Sequence, residues 1–79
     1  MALIYQHAIV LKDELEKRYG TTINEIDNCA GQFFSLSIPL SDEIKSFITD
    51  FLQERKCVPI FWDENSFSVR DLANTKHNI

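Results

Sequence analysis

The chain has 79 residues, 44% of them hydrophobic and 11% aromatic, and carries a formal charge of −4 at neutral pH. A chain this short makes one domain, 1–79, and buries only about 60–65% of its unfolded surface, so its stability margin is small unless it self-associates. The acidic balance disfavours a general nucleic-acid binder, which needs a basic field to release counterions. No run approaches the about 18 apolar residues of a membrane span.

Ala2 to Tyr19 reads as a first helix. Ile4, Ala8, Leu11, Leu15 and Tyr19 form its apolar stripe, widened by Leu3 and by Ile9 or Val10. Asp13 with Lys17 and Glu14 with Arg18 are acid-before-base pairs at i, i+4. Gly20 is placed to supply the left-handed residue that ends many helices.

Residues 22–27 are ambiguous. Thr22 and Ile23 favour a strand, whereas the three-residue spacing of Ile23 and Ile26 suits a helical turn. The strand reading is preferred because Gln32 to Ile38 is a convincing partner, alternating Phe34, Leu36 and Ile38 against Phe33, Ser35 and Ser37. Asn28 to Gly31 is the expected connection, with Gly31 free to take a positive φ.

Ser41 to Arg70 carries the clearest pattern. Ile44, Phe47, Ile48, Phe51 and Leu52 line one face of a helix whose N-cap is Ser41. Asp42 and Glu43 suit its positive end, and Arg55 and Lys56 its negative end. The period then falls to 2. Cys57 to Trp62 and Ser66 to Arg70 read as strands around a turn at Asp63, Glu64 and Asn65. Pro59 removes a ladder donor and so argues for an edge strand or a bulge. Residues 71–79 are mostly polar and read as a flexible or loosely packed tail.

The expected fold is α+β, with two helices packed on one face of a small antiparallel sheet in the order α-β-β-α-β-β. Leu15-Glu16-Lys17-Arg18 echoes Leu52-Gln53-Glu54-Arg55, and Phe34-Ser35-Leu36 echoes Phe67-Ser68-Val69, hinting at pseudo-symmetry. If residues 21–28 were helical instead, the order α-α-β-α-β-β would resemble a winged helix.

Chemistry is sparse. His7, Cys29, Cys57 and His77 share no metal-ligand spacing, so no metal is expected. Cys57 follows Arg55 and Lys56, which favour a thiolate, but it also follows the negative end of a helix dipole, which opposes one. A small enzyme using this cysteine is therefore the third choice. Asp42-Glu43 is explained by a helix N-terminus and Asp63-Glu64 by a turn. No phosphate-loop pattern suggests a nucleotide, and no cofactor is expected. Lys17, Arg18, Arg55 and Lys56 all sit at helix C-termini and would converge into a cationic patch if the helices ran parallel.

The sharpest candidate is apolar. The first strand of the second hairpin is apolar on both faces. With Val58, Ile60 and Trp62 turned to the helices, Phe33, Pro59 and Phe61 would lie on the opposite face, with Trp62 near the edge. Two phenylalanines on an open face imply a cover. The expected function is thus a small acidic, non-catalytic interaction module (adaptor, inhibitor or chaperone-like). It would bind a protein partner or a second copy of itself through Phe33, Pro59, Phe61 and Trp62. A nucleic-acid-associated regulator with a winged-helix-like arrangement is the alternative. The lack of a basic N-terminal region before an apolar run points to a cytoplasmic location.

Overall fold

The computed structural model describes residues 3–28 and 31–72. Two helices, α1 (Tyr5–Tyr19) and α2 (Asp42–Gln53), alternate with four strands, β1 (Ile23–Asn28), β2 (Gly31–Leu36), β3 (Cys57–Phe61) and β4 (Ser66–Asp71). The element order is α-β-β-α-β-β, and the strands form one antiparallel sheet in the order β1-β2-β4-β3. The α-α-β-α-β-β alternative is excluded, because residues 23–28 pair with β2 from Ile23↔Leu36 to Asn28↔Gly31. Two αββ halves therefore meet at the β2–β4 pairing, where Phe34 opposes Phe67.

Local chemistry explains the boundaries. The side chain of Ser41 accepts the Ile44 N–H at 3.2 Å, capping α2. Gly20 ends α1 in the left-handed region at φ 64°. Gly31 opens β2 at φ 136°, a conformation that side chains disfavour. The Asn65 N–H donates to the Asp63 carboxylate at 3.0 Å and so closes the β3–β4 turn.

Helix α1 starts later than the expected Ala2. Leu3 lies outside it because the buried amide of Gln32 takes both of its backbone groups. The Leu3 N–H donates to Oε1 at 2.8 Å, and Nε2 donates to the Leu3 carbonyl at 2.6 Å. Leu3 is thereby pinned into the core, while Ile4, Ile9 and Val10, assigned to the buried stripe from periodicity, are exposed. At the other end Asp71 belongs to β4, paired with Cys57, instead of opening a tail. The Leu72 N–H donates to the Lys56 carbonyl at 3.0 Å, and residues 73–79 of that expected tail lie outside the described residues.

The core lies between the helices and one face of the sheet. Ala8, Leu11 and Leu15 of α1 and Ile44, Ile48, Phe51 and Leu52 of α2 cover Phe34, Leu36, Phe67 and Val69. The Phe34 and Phe67 rings stack with centroids 5.0 Å apart.

The two helices run in opposite directions. α1 starts beside Gln32, at the β1–β2 hairpin end, and finishes near Thr21, which bonds Ser37 just past β2. α2 starts at the other hairpin's end, where the Leu40 N–H meets the Glu64 carbonyl, and finishes just before β3 begins.

Candidate functional site

The strand register decides which residues share the face that no helix covers. Phe33 lies there, as expected. Pro59 and Phe61 do not, and Val58, Ile60 and Trp62 are not on the helix face. Pro59 pairs with the buried Val69, and Phe61 pairs with the buried Phe67, so both point to the helix side. The Phe61 ring lies 6.1 Å from that of Phe67, with Lys45 Nζ of α2 5.5 Å over it. Val58, Ile60 and Trp62 hold the outer face instead. Lys56 takes a left-handed turn at φ 60° directly after α2 and delivers Cys57 into the core, at 1% exposure. Every later residue of β3 then alternates from that buried start. Pro59 does sit on an edge strand, consistent with its missing donor.

The outer face is ordered in rows across the strands. Ile26, Phe33, Ser68 and Ile60 form one row. Asn24, Ser35 and Ser66 form a second, continued by Trp62, whose N–H donates to the Ser66 carbonyl at 3.0 Å. Asn28 and Gly31 begin a third, completed by Arg70 and Val58. Phe33 and Trp62 meet above the small serine side chains of β4, with ring centroids 6.5 Å apart and planes at 41°. Two shallow grooves flank this aromatic pair. One of about 370 Å³ is bounded by Ile26, Phe33 and Trp62 over Ser35 and Ser66. The other, about 250 Å³, lies over Gly31 and Ser68 and ends at Arg70. Ile26 and Trp62 remain 60% and 58% exposed.

Sequence reasoning missed Ile26, and a signal for it existed. Ile23 and Ile26 differ by an odd number of positions, so in a strand they point to opposite faces. Val58 and Ile60 carried no such signal, because both sides of β3 are apolar.

The basic residues do not converge. Antiparallel helices put Lys17 and Arg18 at one end of the pair and Arg55 and Lys56 at the other. Lys17 bridges Asp13 at 3.0 Å, Arg18 bridges Glu14 at 3.1 Å, and Arg55 bridges Glu54 at 3.5 Å. The Arg18 and Arg55 guanidinium groups also stack on Phe47 and Phe51, at 4.7 and 3.6 Å from the ring centroids. Burial, reinforced by the nearby Asp71 carboxylate, pushes the Cys57 thiol up. That thiol donates to the Arg55 carbonyl at 3.5 Å, an arrangement that suppresses the thiolate a nucleophile needs. Among the described residues no group of His, Cys, Asp and Glu could hold a metal ion. Cys29 and His77, two members of the weighed metal set, lie outside the described residues. Nor is any described helix long and apolar enough to cross a membrane. Comparison of the chain with protein-family models, with curated proteins and with solved structures finds no match.

Proposed function

We propose that this chain is a small acidic, non-catalytic interaction module that works in the cytoplasm as an adaptor, inhibitor or chaperone-like protein. Its docking surface is the outer face of the sheet. The supporting observation is the row of Ile26, Phe33 and Ile60 with Trp62 beside it, apolar and uncovered by any described element. Aromatic side chains of this kind are the commonest anchors of protein interfaces. Pro59 and Phe61 leave the proposed surface, because they are committed to the helix side. The nucleic-acid alternative loses the winged-helix arrangement and the cationic cluster on which it depended.

The test is capture from the native host's lysate with immobilised wild type and a Phe33→Ser/Trp62→Ser variant, both shown to be folded by circular dichroism. Partners held by the wild type and lost by the variant support the reading. A folded variant that keeps every partner overturns it.

A further inference from the structure

The two edges of the sheet differ in the backbone groups they turn outward. The Ser37 N–H donates to the Thr22 carbonyl at 3.1 Å, whereas the Leu36 N–H turns the other way, to the Asn65 carbonyl at 2.9 Å. Together with the β1–β2 register, these bonds set the phase of the ladder. Asn24 and Ile26 spend their backbone groups on β2, while Ile23, Glu25 and Asp27 point theirs away from the sheet. No described element lies beyond β1. On the opposite edge the Trp62 N–H bonds Ser66 and the Leu72 N–H bonds Lys56, so the outward positions of β3 are Cys57, Pro59 and Phe61. The middle one is a proline, which has no N–H to offer. One edge is blocked at its centre; the other keeps every donor.

We infer that the edge of β1 takes an extended segment of another protein as a fifth strand, with a basic residue opposite Asp27 and an apolar one opposite Ile26. A row of outward N–H and C=O groups is recognised by another backbone in extended form. The site lies to one side of the Phe33–Trp62 pair and does not depend on that surface.

Helix α1 is already placed to cover such a strand. Its Lys12 bridges Glu25 of β1 at 2.9 Å, while Arg18, on the opposite flank, stacks on Phe47 of α2. Tyr5, Ile9 and Glu16 are spaced i−7, i−3 and i+4 from Lys12, so they share its flank, which overhangs the β1 edge. Tyr5 and Ile9 are 69% and 43% exposed there. Because α1 starts at the β1–β2 hairpin end, these two stand towards Asp27, and Glu16 stands towards Ile23. Side chains on the helix side of an added strand would meet an apolar roof at one end, and those on its other side would meet Ile26.

Charge selects the partner. Glu25 and Asp27 pair with the buried Phe34 and Gln32 and so point to the helix side, which makes that rim of the edge acidic. Antiparallel self-pairing centred on Glu25 or on Ile26 sets Glu25 against the other copy's Glu25 or Asp27, which is repulsive. A long basic side chain opposite Asp27 instead lays its stem under Tyr5 and Ile9 and its charge beside the carboxylate. A second one opposite Ile23 lies near Glu16.

The probe is the peptide acetyl-Thr-Arg-Val-Thr-Val-Lys-Thr-amide, whose Arg falls opposite Asp27 and whose first Val falls opposite Ile26 when it runs antiparallel to β1. Amide hydrogen exchange and backbone NMR shifts of the full chain read its binding. In the free protein the Glu25 and Asp27 amides should exchange quickly and that of Ile26 slowly; the peptide should slow the first two. N-methylation of its Arg and central Thr, whose N–H groups face β1, should abolish binding, whereas N-methylation of the two Val residues should not. Asp27→Lys should weaken binding about tenfold, the swing from a favourable to an unfavourable cross-strand pair. The peptide with Glu in place of Arg should reverse that order, preferring Asp27→Lys to the wild type. Glu25 and Asp27 amides already protected in the dilute free protein overturn the inference. So does an absence of added protection at millimolar peptide, or binding indifferent to the position of the N-methyl groups. Protection that instead grows with protein concentration overturns it in favour of a second copy at this edge.

Discussion

Phe33 and Phe34 are neighbours in β2, and the pleat sends them to opposite environments. Phe34 is sealed against Phe67 under two helices, whereas Phe33 meets Trp62 over a floor of serines. The two faces of one sheet thus use similar residues for different ends. On the helix side the large side chains of β2 and β4 pack in one core with those of α1 and α2. On the outer side the large side chains outnumber anything the described residues offer to cover them. Hydrophobicity alone does not mark a core; the presence of a second layer does.

The largest test of that contrast is a pair of truncations. Phe34→Ala should cost about 3–5 kcal/mol, the usual loss for a buried aromatic. Phe33→Ala should cost no more than about 1 kcal/mol in the monomer, within the ordinary range for single substitutions. Urea denaturation at a concentration too low for self-association reads both. Equal losses would break the comparison.

A second test stays on the helix side of β2. Gln32→Ala leaves the buried N–H and C=O of Leu3 without their amide partner, and should cost about 2 kcal/mol. Hydrogen exchange at the Leu3 amide should accelerate with it. An unchanged exchange rate would mean that the Gln32 amide does not hold the start of α1.

The smallest effect concerns pH. The Cys57 thiol is raised in the folded state, by burial first and Asp71 second. The unfolded chain therefore loses this proton first as pH rises. The stability tied to the neutral thiol is complete below the unfolded value of about 8.5 and is lost as pH climbs from there towards the folded value. In a Cys29→Ser background, Cys57→Ala should flatten this alkaline decline, and native Cys57 should resist iodoacetamide at pH 8 until the protein unfolds. Rapid alkylation of the native protein would reopen the case for a reactive cysteine.

Much of this architecture was legible in the residues. α2 follows from one apolar stripe and a serine cap, and no other periodic solution competes. The strand at residues 23–28 was legible only through its partner, because Thr22 and Ile23 argued for one structure and the Ile23–Ile26 spacing for another. The outer face was half legible. Phe33 alternates against Phe34 and Leu36 in a strand with one polar side, so its direction was determined before any tertiary contact. Gln32 gave no sign of its clamp, because a glutamine at a strand start reads as solvated until Leu3 is seen beside it.

Helix α2, its serine cap, the glycine at the end of α1 and the outward turn of Phe33 were determined by sequence alone, because each depends on chemistry within a few residues. The facing of β3 and the separation of the basic residues were decided only by the tertiary structure. Cys57 to Trp62 is apolar on both sides, so alternation has no preferred phase until the left-handed turn at Lys56 buries Cys57. The cations in turn depend on helix direction, which the pairing of β2 with β4 determines far from Lys17 and Arg55.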